Sequence, residues 1–209
     1  MPRPAYIKRT KSSDLDKVCK GMIGHFAFDD KMTVIDYDNK KIAFVDSVCI
    51  DSSYYSIKLQ PSRQITDNNR HLRYVEINGF KDKRGNAIPS LFLLDTGNAV
   101  TALYMNRKFG INIGNMKKNL KKVHATLLAN NEYVYHWSFK LDSISIGNFN
   151  LLELPARYMV DTFDPIEALE GAEGLLGIVV LRRFNMIIDY RNNMFYYKPN
   201  NFFPKEKTY

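Results

Sequence analysis

The sequence predicts a mainly β fold with a few short helices, closed into a small twisted barrel, and three observations lead there. Apolar and polar residues alternate through one short run after another. Asn, Asp and Gly turn signals separate those runs. One stretch of the chain also recurs further along it.

The recurrence sets the organisation. GMIGHFAFDDKMTVIDYDNKKIAF, residues 21–44, aligns without a gap on GLLGIVVLRRFNMIIDYRNNMFYY, residues 174–197, a shift of 153 residues. Gly21, Gly24, Asp36, Tyr37 and Asn39 meet Gly174, Gly177, Asp189, Tyr190 and Asn192, and the apolar positions between them correspond. Upstream, after a two-residue gap, Pro4 and Ala5 meet Pro155 and Ala156. The shift is a normal domain length. The reading is a truncated first repeat over residues 1–50, a complete second repeat over 55–200, and a tail over 201–209.

Within the second repeat, YSIKLQ and LRYVEINGF alternate as strands do, and KDKRGNAIP supplies a hairpin-like turn. SLFLLDTG is a buried strand ending in a tight turn at Gly97. VTALYMNRKFGI predicts a short helix or an extended segment closed near Gly110. From Val123 to Val160 the alternation passes through three strands, with turns at Asn130-Asn131 and Gly147-Asn148. After GLLG, IVVLRRF has the apolar spacing of a short helix, and NMIIDYRNNMFYY reads as a hairpin about Arg191-Asn192-Asn193.

Composition bounds the rest. With 45% hydrophobic residues, the 209-residue chain can bury a core for one domain, or one domain and part of another. Its apolar runs fall well short of the ~20 residues that a membrane-spanning helix needs. MPRPAYIKRTKSSDLDK has no apolar signal-peptide core, so the location stays open. Cys19 and Cys49 fit no metal spacing and read as buried or free thiols. His25, His71, His124 and His136 form no metal-binding pair. The net charge of +8 and the cluster Lys117, Lys118, Lys121 and Lys122 raise the question of nucleic acid. No nucleic-acid-binding motif accompanies them, and the cluster reads as a solvated helix face.

The acid at the end of the apolar run Leu91–Leu94 needs an explanation, because burying a carboxylate is costly unless something compensates it. Asp95-Thr96-Gly97 is a weak signal alone, since an ordinary turn also uses D-x-G. It is much stronger after an apolar strand and with Gly174-Leu175-Leu176-Gly177 following in order. On these motifs, residues 55–200 resemble a lobe of the retropepsin-like aspartic proteases, the superfamily of pepsin and the retroviral proteases, in its bacterial form with tandem lobes. The first repeat resembles the C-terminal part of another such lobe.

The resemblance implies a closed acid-protease β-barrel and an endopeptidase that activates water between two aspartates, one proton being shared between them. Asp95 is then one catalytic carboxylate. Thr96 locks the active-site turns together, and Gly97 allows close backbone approach and donates its N–H to the carboxylate. Asn98, standing where the family usually has Ser, Thr or Ala, alters the surroundings of that carboxylate. Gly174 and Gly177 let a second loop pass behind the turn without a Cβ clash. The turn at Asn130, Asn131 and Glu132 is the expected flap over an extended peptide substrate. Neither a metal nor an organic cofactor is implied. Asp36 and Asp189 read as turn residues, and Asp161-Thr162-Phe163 lacks the glycine.

One triplet does not make a pair. The second aspartate has three possible accounts: a C2 homodimer, a missing first lobe, or none at all, which leaves a catalytically silent peptide-binding or scaffold domain. The tail residues Phe202, Phe203 and Tyr209 offer an aromatic edge to an interface.

Overall fold

The computed structural model describes residues 30–61, 72–98, 101–114, 116–127, 133–159 and 171–203, with the backbone alone over 116–127 and 133–134. The fold is mainly β. Among the described residues thirteen strands form two sheets, with two short helices, α1 (Arg107–Asn112) and α2 (Ile178–Leu181), of which α2 leads from one sheet to the other.

The five-stranded sheet joins the two ends of the described chain. Its order is β2 (Lys41–Val45), β1 (Met32–Asp36), β12 (Phe184–Asp189), β13 (Met194–Pro199) and β3 (Tyr55–Lys58), every pair antiparallel. The β1–β2 and β12–β13 hairpins are built alike. In the first turn Asn39 donates from its backbone N–H to Asp36 Oδ1 (3.0 Å) and from Nδ2 to Oδ2 (2.7 Å). In the second, Asn192 does the same to Asp189, at 2.9 and 2.7 Å. Each turn ends on a left-handed residue, Lys40 and Asn193, both with φ of +54°. These aspartates are spent on their own turns, an Asx arrangement that frees the chain to reverse.

The hairpins meet across β1 and β12, where Val34 faces Ile187, Thr33 faces Ile188 and Ile35 faces Met186. Asn185, almost wholly buried, ties them further: its Oδ1 accepts from Tyr37 N (2.9 Å) and its Nδ2 donates to Asp38 Oδ2 (2.9 Å).

The eight-stranded sheet runs β4 (Gln60–Pro61), β5 (Arg73–Ile77), β6 (Ser90–Leu94), β11 (Gly174–Leu176), β7 (Leu103–Met105), β10 (Phe149–Met159), β9 (Tyr133–Ile146) and β8 (Met116–Leu127). It does not close into the expected barrel: among the described residues β4 and β8 remain its two ends. It curls instead, so that Asn78 beyond β5 exchanges two backbone hydrogen bonds with Ser145 of β9, at 2.9 and 2.7 Å. That isolated bridge ties the end of β9 to the residue that follows β5.

The lysine cluster 117, 118, 121 and 122 lies on β8, not on a helix. A long antiparallel partner, β9, was at hand, and strand pairing overrode the helical spacing. Segment VTALYMNRKFGI divides between β7 and α1, the helix being started by Asn106, whose side chain accepts from Phe109 N (2.7 Å).

Two aromatic clusters fill the core. Phe80, Phe92 and Phe109 meet inside the curled sheet with centroids 5.1–6.0 Å apart. Phe149 of β10 contacts Tyr55, Phe184, Tyr197 and Phe203, and so packs the two sheets together. Burying each of the fully enclosed ones, such as Phe80, Phe92 and Phe184, contributes roughly 1.5–3 kcal/mol. Phe203 is thus half-buried against the core and Phe202 exposed, while Tyr209 lies outside the described residues. No helix among the described residues is long and apolar enough to cross a membrane, and Cys49 is a free, exposed thiol.

Candidate active site

Asp95 follows directly on β6, a central strand flanked by β5 and β11. Phe92 of this strand is fully buried, while Leu94 and Asp95 emerge half-buried at its end. The Asp95 N–H still donates to Leu176 O (3.0 Å), so the acid is anchored to β11 at the first residue of its turn.

The turn folds back on the carboxylate. Gly97 N–H donates to Asp95 Oδ1 at 2.9 Å, and Asn98 N–H reaches Asp95 O at 3.4 Å. Burial pushes the Asp95 carboxyl above the usual carboxylate range, and the amides of Gly97 and Asn98 pull against that. Such a group holds its proton to a higher pH than a solvated aspartate and suits an exchange of protons in mildly acid solution.

Gly177 lies against this turn, and Gly174 lies three residues back along β11, beside Phe92 and β7. Strand β11 lies between β6, to which it is parallel, and β7, to which it is antiparallel. A Cβ on Gly177 would run into Thr101 O and come within 2.9 Å of Asn98 O. A Cβ on Gly174 would run into Tyr104 O and come within 2.8 Å of Met105 Cα. Both obstacles are backbone, which side-chain motion cannot relieve. The Asn98 backbone is clamped besides, its carbonyl accepting from Ile178 N at 2.9 Å.

Thr96 is exposed, and its hydroxyl makes no bond among the described residues. The flap residues Asn130, Asn131 and Glu132, and the triplet at 161–163, lie outside the described residues.

Two contributors escaped the sequence reading. Thr101 is buried and donates from Oγ1 to Pro155 O (2.8 Å), fixing the return of the chain from the Asp95 turn into β7. Glu173 accepts from Leu91 N through Oε2 (2.6 Å) and pairs its backbone with Leu91 O (2.8 Å), holding β11 against β6 just before the glycines. A polar residue next to an apolar strand was the available signal in both cases.

Further along the eight-stranded sheet, His136 is buried with Nε2 3.0 Å from Arg157 Nη1 and its ring edge-on to Tyr104. Since a guanidinium only donates, Nε2 accepts and the ring proton sits on Nδ1, which has no partner among the described residues. Burial, then the Arg157 charge, lowers His136 to about 4.

No known family's sequence model matches the chain, and no curated protein matches it.

Proposed function

We propose that the chain is an aspartic-type endopeptidase lobe of the retropepsin-like class, with Asp95 as one of the two carboxyls that activate the hydrolytic water. The observation that carries this reading is the Asp95 turn: a half-buried carboxyl at the end of a central strand, bonded by Gly97 N–H, with Gly177 at its back. An unionised or proton-sharing carboxyl there serves as acid to the scissile carbonyl, while an ionised partner takes a proton from water.

The reaction needs a second acid. A homodimer and a partner lobe remain its two possible sources, and the like build of the two hairpins supports the account of two repeats of one lobe. A second reading, a peptide-binding lobe without turnover, gains support from one feature: β1 already occupies the edge of β12. Symmetric pairing of β12 with a second copy would have to displace it.

The test is a peptide-library digest from about pH 3 to about pH 7, read by mass spectrometry, with the chain and its Asp95→Asn variant. Cleavage that grows toward acid and disappears in the variant is the expected result. Cleavage that survives the substitution overturns the assignment, and peptide binding without cleavage selects the second reading.

A further inference from the structure

The five-stranded sheet is nearly its own image. A shift of 153 residues carries β1 on to β12 and β2 on to β13, and every hairpin pair maps on to another: Ile35 with Ile42 becomes Ile188 with Phe195, and Asp36 with Lys41 becomes Asp189 with Met194. The same shift exchanges the two flanking pairs of the central ladder, Thr33 with Ile188 and Ile35 with Met186, about Val34 and Ile187. A local twofold axis therefore passes between Val34 and Ile187.

The image fails at the outer edge of the sheet. Strand β13 has a neighbour on each side, β12 and β3, whereas β2 has β1 alone among the described residues. The two edges differ in burial as well: Phe195, which faces Ile57 of β3 and stacks on Tyr197, is 1% exposed, and its counterpart Ile42 is 56% exposed. An exposed strand edge bearing a large apolar side chain is a template for a further strand.

We infer that the outer edge of β2 is an acceptor site for an extended peptide segment, added antiparallel as the twofold image of β3. The register states what that segment looks like. Opposite Ile42 it carries an apolar residue, as Ile57 stands opposite Phe195, and opposite Ala43 a small polar one, as Ser56 stands opposite Tyr196. Opposite Lys41 it carries an acid, because β2 has a cation where β13 has Met194. Backbone bonds supply the attachment and the apolar contact the selection. The inference stands on the register of the sheet and is independent of the peptidase reading.

Cys49 makes the test practical, being an exposed thiol four residues beyond the end of β2, where the amino end of an antiparallel segment would lie. In a Cys19→Ser form of the full chain, Cys49 is joined by disulfide exchange to a peptide of residues 54–60 carrying Lys58→Glu, preceded by a short Gly/Ser linker and a cysteine activated as its thiopyridyl disulfide. Tethering holds the peptide at an effective concentration in the millimolar range. Amide hydrogen exchange over residues 41–45 is then expected to slow by about fivefold or more, and an otherwise identical peptide with Ile57→Asp is expected to lose that protection. Unchanged exchange with the first peptide, or equal protection by both, overturns the inference. So does concentration-dependent protection of residues 41–45 in the untethered chain, which would make a second copy the occupant.

Discussion

Val34 and Ile187 face each other at the centre of the five-stranded sheet, and the interval between them is the interval of the sequence repeat. The edge of β12 that a symmetric partner would need is filled by the chain itself. Any dimer that light scattering detects, at neutral or mildly acid pH, is therefore expected to keep the β1–β12 pairing, with the amide protection of both strands independent of concentration. A dimer whose interface maps to β12 would contradict this pairing.

Asp95 carries a cost that its removal should reveal. Its carboxyl is held above the ordinary range by burial, so the folded state binds the proton more tightly than the unfolded chain does. That contribution is fully present at low pH and is lost as pH rises through the folded value. Asp95→Asn is expected to raise the melting temperature at about pH 7 and to leave it nearly unchanged at about pH 3. A variant less stable at neutral pH would mean that the ionised carboxylate is well served by its turn.

Gly174→Ala and Gly177→Ala each force a methyl group against backbone oxygens, of Tyr104 and of Thr101 and Asn98. Each is expected to cost about 2–3 kcal/mol in urea denaturation, as overpacked sites do. Gly85→Ala is the comparison: its Cβ would meet nothing within 4 Å, but φ is +90°, and the expected loss is about 1 kcal/mol. Equal losses at all three would remove the steric account.

His136 makes stability depend on pH in the opposite sense. In the unfolded chain it titrates near 6.5, and in the folded protein burial and Arg157 hold it at about 4. As pH falls through that window only the unfolded state gains the proton, so stability declines, by about 2 kcal/mol for a shift of this kind after allowance for screening. His136→Gln keeps an acceptor for Arg157 without titrating, and denaturation series at about pH 7 and about pH 4 should show a smaller decline.

Asn185 holds the two hairpins together through Tyr37 N and Asp38. Asn185→Leu leaves a backbone donor without its partner and is expected to cost about 1–3 kcal/mol. The matching change Asp38→Ala, one step out, should cost less: it removes two acceptors, for Asn185 Nδ2 and Asn201 N, but at an exposed residue.

The parts of this structure that local chemistry dictates were legible beforehand. An aspartate three residues before an asparagine writes its own turn, and both hairpins could be read from Asp36 with Asn39 and Asp189 with Asn192. The crowding at Gly174 and Gly177 was expected from the resemblance, not from the glycines themselves; a Cβ at either position meets backbone. The lysines at 117–122 misled, since spacing along one segment cannot say that β9 lies alongside. The His136–Arg157 pair, the Thr101 anchor and the unclosed sheet depend on which strands become neighbours, and no short window of residues contains that information.

The shared sheet also sets an order of events in folding. Strand β1 must wait for β12, which leaves the ribosome about 150 residues later, on the order of 10–30 s at ordinary rates of synthesis. Until then the first hairpin has only itself to pair with, and a two-stranded ribbon is marginal in water. The strand pairing most distant in sequence among the described residues is thus among the last to form, and it is the one that joins the two hairpins. Refolding should show a slow final phase in the amides of β1 and β12, after the aromatic cluster of Phe80, Phe92 and Phe109 has closed.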